Sequence, residues 1–119
     1  MTEQPAISFK AVRADLPSAS GVAISGKVDL AAVPALERAL EAAIEATADG
    51  FVVDLSGVEF MDSSGLLAML NARGLLARDG RALAVVCPAG AVRHLLDVAG
   101  VSELLVVCDS REEAEAALS

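Results

Sequence analysis

The sequence has no tryptophan, no tyrosine and only three phenylalanines. Modules that hold single-stranded nucleic acid stack bases on aromatic platforms, and this chain has almost none to offer. Positive charge is also scarce. Nine lysines and arginines stand against 17 acids, a formal net charge of −8. Such a balance repels a phosphate backbone, and the few bases do not cluster. Long apolar runs are missing too, although mean hydropathy is +0.56. The longest uncharged apolar stretch, Ala82 to Val92, has 11 residues and contains Pro88 and Gly90. A membrane-spanning helix needs about 20. The opening Met-Thr-Glu-Gln-Pro carries an acid where a signal peptide carries a base, and no apolar region follows. The expectation is a soluble, cytoplasmic protein with no direct nucleic-acid or membrane partner.

Catalytic equipment is equally thin. Two cysteines, Cys87 and Cys108, are too few for a disulfide framework or a zinc site. Each closes an aliphatic run, so both read as buried, reduced thiols acting as small hydrophobes. The single histidine, His94, lies between Arg93 and Leu95 and reads as a polar-face residue of a helix. A serine hydrolase needs a base beside its nucleophile, and neither a Gly-x-Ser-x-Gly elbow nor a Walker A loop is present. Asp54, Glu59 and Asp62 are close in sequence but lack the spacing of a cation cage, and Asp54 reads as a strand-end or turn cap. No catalytic residue, metal or cofactor is implied.

What the chain has in plenty is aliphatic surface. Its 119 residues suit one domain, expected to span 1–119 with a core of about 7–118. Hydrophobic residues make up 55% before the nine glycines are counted, against about 45–50% usual with glycine included. That is ample to offset chain entropy, so bulk disorder is excluded.

Gly50, Gly80 and Gly100 each follow a helix-like segment and precede a β-like run, where glycine offers an easy helix stop. The runs Phe51–Leu55, Leu83–Cys87 and Leu104–Cys108 are nearly continuous aliphatics, the pattern of parallel strands covered on both faces. Four helical segments are expected. The first follows Asp29, with Pro34 in its first turn and Leu36, Leu40 and Ile44 on its apolar face. The second runs from about Ser64 to Ala77, with Leu66, Leu67 and Leu70 together. The third runs from about Ala89 to Ala99, with Val92, Leu95, Leu96 and Ala99 on one face. The last opens on a capping box, Ser110 to Glu113, and its Glu112, Glu113 and Glu115 form a solvated face. Two earlier β-like stretches, Ala6–Ala14 and Val22–Ser25, flank a turn at Leu16–Gly21 and form a hairpin. The expected fold is α/β: a mixed, mostly parallel β-sheet with an N-terminal hairpin and about four α-helices packed on it.

One segment carries a possible site: Met61-Asp62-Ser63-Ser64-Gly65-Leu66, after the Phe51 strand and at the mouth of the second helix. A purely structural reading exists. Ser63 or Ser64 caps the helix, Asp62 complements its dipole and Gly65 permits close packing.

Asp62-Ser63-Ser64-Gly65-Leu66 after a hydrophobic strand resembles the phosphorylation motif of the anti-sigma-factor antagonist family, the STAS domain. Three other segments agree in order: Ser25-Gly26-Lys27-Val28-Asp29, Phe51-Val52-Val53-Asp54-Leu55-Ser56, and Ala91 to Gly100. The resemblance covers about Ile7 to Leu118. It implies a non-enzymatic partner switch. The unphosphorylated protein binds an anti-sigma factor that is also an ATP-binding serine kinase, and so frees the sigma factor. Phosphorylation breaks the complex, and a phosphatase restores it. The acceptor is by position Ser63. The contact surface is Asp29, Met61, Asp62, Ser63, Ser64, Gly65 and Leu66, with an exposed face around Met61 and Leu66. A phosphate on Ser63 is expected to be tolerated by free backbone N–H groups at the helix start. Two departures from the family pattern stand out. Leu67 replaces a small residue, which bears on packing under the site, and Leu30 to Pro34 lack polar residues, which bears on which kinase is recognised. The resemblance also admits a non-phosphorylated STAS adaptor or accessory subunit of a transporter or signalling complex. It leaves a homodimer open.

Overall fold

The computed structural model describes residues 9–119. Strand β1 (Lys10–Arg13) turns back into β2 (Ser20–Val28), and the two pair antiparallel with Val12 opposite Ala23. A 3-10 turn (Leu30–Ala32) leads into α1 (Val33–Glu45). Then follow β3 (Phe51–Met61), α2 (Ser63–Arg78), β4 (Leu83–Val86), α3 (Ala91–Ala99), β5 (Val107–Cys108) and α4 (Arg111–Leu118). The sheet runs in chain order from β1 to β5, and β2 to β5 are parallel. This is the single α/β domain, hairpin and four helices that the sequence predicts. Of the first β-like stretch, residues 6–8 lie outside the described residues.

The continuous aliphatic strands are explained by cover on both faces. Phe51, Val53 and Leu55 of β3 and Val85 of β4 pack with Leu36 and Leu40 of α1, Met69 and Leu76 of α2, and Leu96 of α3. The intervening Val52, Ala84 and Val86 pack with Ala114 of α4 on the other face. Cys87 and Cys108 illustrate the alternation. The Cys87 N–H donates to the Cys108 carbonyl at 2.8 Å, yet Cys87 packs in the larger core and Cys108 in the smaller one. Both are free thiols, and burial pushes both above the usual thiol range.

Four local expectations change. The run Leu104–Cys108 is strand only at Val107–Cys108, because Val106 has a left-handed φ of 52° that breaks the extended chain before it. Gly50 is not a helix stop: α1 already ends at Glu45, and Gly50 instead lies 3.2 Å (from its would-be Cβ) to Leu118. Gly80 and Gly100 do adopt φ of 70° and 75° after their helices. In the capping box of α4, Ser110 Oγ accepts from Glu113 N–H at 3.2 Å, but Glu113 returns its bond to Asp109 N–H rather than to Ser110. Finally, α3 begins at Ala91, not Ala89, and its Ala99 is exposed.

Two long-range polar ties were not legible in the sequence. Arg81 clamps the end of α1, donating to the carbonyls of Ile44 and Asp49 and to Thr47 Oγ1, each at 2.8 Å. Asp54 is a buried strand residue rather than an end cap. It accepts from Ser56 N–H at 2.9 Å and pairs with Arg111 at 2.7 Å, fixing the start of α4 to the sheet. Desolvation pushes its carboxyl up, but the bonds from Ser56 and Arg111 outweigh it and hold it below the usual carboxylate range. A carboxyl lowered on folding stabilises the fold above its unfolded pKa, and that contribution fades as pH falls through the lowered value. Asp54→Asn should therefore lose about 1–3 kcal/mol at pH 7, with the gap to the parent narrowing below about pH 4. Urea unfolding across pH checks this; a gap independent of pH contradicts it.

A glycine inside α2 gives a second check. An added Cβ at Gly74 would meet nothing within 4 Å. Gly74→Ala should raise stability by about 1 kcal/mol, the helix penalty of glycine. A lowered urea midpoint would contradict the open space seen there.

Candidate functional site

The site is built where β2 and β3 end side by side. Val28 is opposite Met61 in the parallel register, so each strand leads directly into an aspartate, Asp29 and Asp62. Two irregularities on the way, between Ala23 and Ser25 and between Gly26 and Lys27, give β3 extra residues and bring these ends level. Asp62 N–H donates to the Val28 carbonyl at 3.2 Å and ties the two exits together.

Both aspartates do the same work. Their backbones are nearly identical, with φ, ψ of −111°, −176° at Asp29 and −109°, −173° at Asp62. Asp29 accepts from Ala32 N–H at 3.1 Å and starts the 3-10 turn. Asp62 Oδ1 accepts from Ser64 N–H at 3.0 Å, from Gly65 N–H at 3.3 Å and from the Ser64 hydroxyl. So Asp62, not Ser63 or Ser64, is the cap of α2. The Ser64 hydroxyl and these N–H groups hold its carboxyl below the usual range. Gly65 is required by close approach: a Cβ there would sit 2.7 Å from Val28 Cγ1 and 2.9 Å from Met61 Cγ.

The two serines are thereby made unequal. Ser63, the first residue of α2, is exposed, and its hydroxyl has no partner among the described residues. Ser64 is half-buried with its proton held by Asp62. Of the expected free donors, the N–H groups of Ser64 and Gly65 are already taken by Asp62, which leaves the N–H of Ser63 itself without a partner among the described residues.

Comparison with known proteins identifies the frame. The STAS domain model matches residues 13–114. The chain belongs to the STAS domain family. An anti-sigma factor antagonist from Mycobacterium paratuberculosis is 28% identical with a TM-score of 0.85, the match covering 93% of this chain and 94% of that one. Two more distant structures share the fold. A STAS domain protein from Planctomyces limnophilus has a TM-score of 0.76 at 19% identity, covering 92% of this chain and 97% of that one. The phosphorylated Bacillus cell fate determinant SpoIIAA has a TM-score of 0.60 at 22% identity, covering 94% of this chain and 100% of that one. No curated protein matches the chain in sequence. No helix among the described residues is long and apolar enough to cross a membrane.

The apolar surface of this STAS domain is not where the sequence predicts it. Met61 and Leu66 are only 6% and 9% exposed, because both point into the core beside α2, and Gly65 is buried with them. The exposed side chains are their neighbours: Leu30 at 72%, Leu67 at 58% and Phe60 at 45%. Leu30 directly follows Asp29, Phe60 precedes Met61 and Asp62 on β3, and Leu67 lies one turn beyond Ser63 on α2. Lys27 reaches over the Phe60 ring, 6.0 Å from its centre. Leu67 therefore does not pack under the site as its place in the motif suggests; it faces outward. The sequence singles out Leu67 and the apolar stretch from Leu30 but not their exposure, and Phe60 not at all, because an aliphatic or aromatic residue beside a motif reads as core.

Proposed function

We propose that this chain is an anti-sigma-factor antagonist that works by partner switching. Unphosphorylated, it binds an anti-sigma factor that is also a serine kinase, and the sigma factor is set free. The kinase then places a phosphate on Ser63, the complex separates, and a phosphatase resets it. The chain itself catalyses nothing, and it acts in the cytoplasm, where sigma factors work. The observation that carries this reading is the contrast between Ser63, exposed and unengaged, and Ser64, whose hydroxyl is held by Asp62. The anti-sigma factor antagonist at 28% identity supports the role.

Physics gives the switch its sign. A phosphate adds about 1.5 to 2 negative charges. Here it lands on the residue after Asp62, which already holds the N–H groups of Ser64 and Gly65. It stays in solvent and leaves the fold alone. Burying it unpaired against a partner costs several kcal/mol, a change of hundreds-fold or more in affinity. Asp29 and Asp62 hold the two chain exits in shape, and Leu30, Phe60 and Leu67 supply the apolar contact.

Incubation with ATP and each candidate anti-sigma kinase, followed by mass-spectrometric mapping, tests the assignment. Phosphate should appear on Ser63 alone and vanish in Ser63→Ala. Phosphate on Ser64 in the parent protein would refute the acceptor assignment. Its absence with kinases shown to be active would favour a non-switching STAS adaptor.

A further inference from the structure

Away from Ser63, an open groove runs between α1 and α2. It consists of two contiguous cavities of about 430 and 450 Å³ that share Glu41, Leu75 and Arg78. Leu40, Ala72 and Ile44 floor it from buried positions. Its α1 wall carries Glu37, Glu41 and Glu45, one on each successive turn. Across from them stand Arg78, and Arg81 with all its side-chain bonds turned to the end of α1, so the basic edge of an occupant lies on the α1 side. Among the described residues none of the three has an ion-pair partner. Like charges one turn apart repel, so this row weakens the isolated helix rather than supporting it. The α2 wall is lowered at Gly74, which no internal contact requires, since an added Cβ meets nothing within 4 Å. Glycine weakens a helix interior, so this wall too is built against its own stability.

We propose that this groove is a second docking site, and that its occupant is a basic amphipathic helix of a partner protein. Lysine or arginine side chains along one edge of that helix pair with Glu37, Glu41 and Glu45. Its aliphatic side chains lie on the floor, and Gly74 lets its backbone come close. From Glu37 to Glu45 is about 12 Å, so the groove seats about two turns. Charge selects this occupant. A second copy brings a net charge of −8. Its α2 carries two arginines and no acid, but Arg73 is held by the Leu104 carbonyl and Arg78 lines that copy's own groove; Arg93 of α3 is paired with Asp109, and α4 carries Glu112, Glu113 and Glu115. A nucleic acid is repelled by the same wall. Gly74 lies about 16 Å along α2 from Ser63, so the groove is a separate input from the serine.

The probe is a synthetic leucine/lysine peptide patterned as an amphipathic helix, labelled and titrated by fluorescence anisotropy at physiological ionic strength. Glu37→Lys, Glu41→Lys and Glu45→Lys combined should weaken binding by about tenfold or more, the worth of three partly exposed ion pairs. The same charge change made elsewhere, at the exposed Glu59, Glu103 and Glu112, should change it by about twofold or less, as expected for screened, distant charges. Gly74→Leu fills the groove while improving the helix, so it should melt no lower than the parent and bind by about tenfold less. Equal losses from the two charge reversals would reduce the binding to net charge and overturn the proposal. Undiminished binding by Gly74→Leu would overturn it as well.

Discussion

Replacing Ser63 by glutamate should weaken binding to the anti-sigma kinase by roughly a hundredfold or more, whereas Ser63→Ala should bind as the parent does. The charge is the reason. A carboxylate at the exposed first residue of α2 stands beside Asp62, whose oxygen already holds the N–H groups of Ser64 and Gly65. Desolvating that added charge at an interface costs several kcal/mol. A phosphate should have the larger effect, because it carries more charge than glutamate. Stability should scarcely move, within about 0.5 kcal/mol for an exposed site. Matching affinities for the alanine, glutamate and parent proteins, measured by calorimetry, would remove the switch.

Leu30→Ala combined with Phe60→Ala should cost a comparable amount of binding by a different route. Buried apolar anchors at an interface are worth about 2 kcal/mol or more each, so the pair should weaken the kinase complex by several hundredfold. Both side chains are solvent-exposed in the free domain, so the double variant should keep its melting temperature. Phosphorylation of Ser63 at saturating kinase should persist, which separates lost contact from a lost acceptor. If the double variant binds fully, the contact surface lies on another part of the domain.

Much of this fold was legible in the chain. The aliphatic runs at Phe51–Leu55 and Leu83–Cys87 read as doubly covered strands because every position of such a strand is buried. Leu36, Leu40 and Ile44 marked the inner face of α1 through their helical spacing, and all three are buried. Local patterns failed where the chain does something non-local or irregular. Asp54 and Arg111 are 57 residues apart, and nothing in either neighbourhood announces the pair. Val106 takes a conformation that β-branched residues avoid, so the run before Cys108 reads as one longer strand than is present. At the site, the aspartates and serines were visible as a motif. Their division of labour was not, because any of Asp62, Ser63 or Ser64 caps a helix well. Which one does so is settled by the extended backbone at Asp62, itself fixed by the bond to Val28 and by the contact that Gly65 permits.

In the proposed switch, a single group on Ser63 decides whether the sigma factor is free. The most direct measurement starts from a reconstituted complex of sigma factor with its anti-sigma kinase, resolved by gel filtration. The unphosphorylated chain, added in excess, should displace the sigma factor into its own peak. The same chain phosphorylated on Ser63 should leave the complex intact. Equal displacement by both forms, or by neither, would contradict the account.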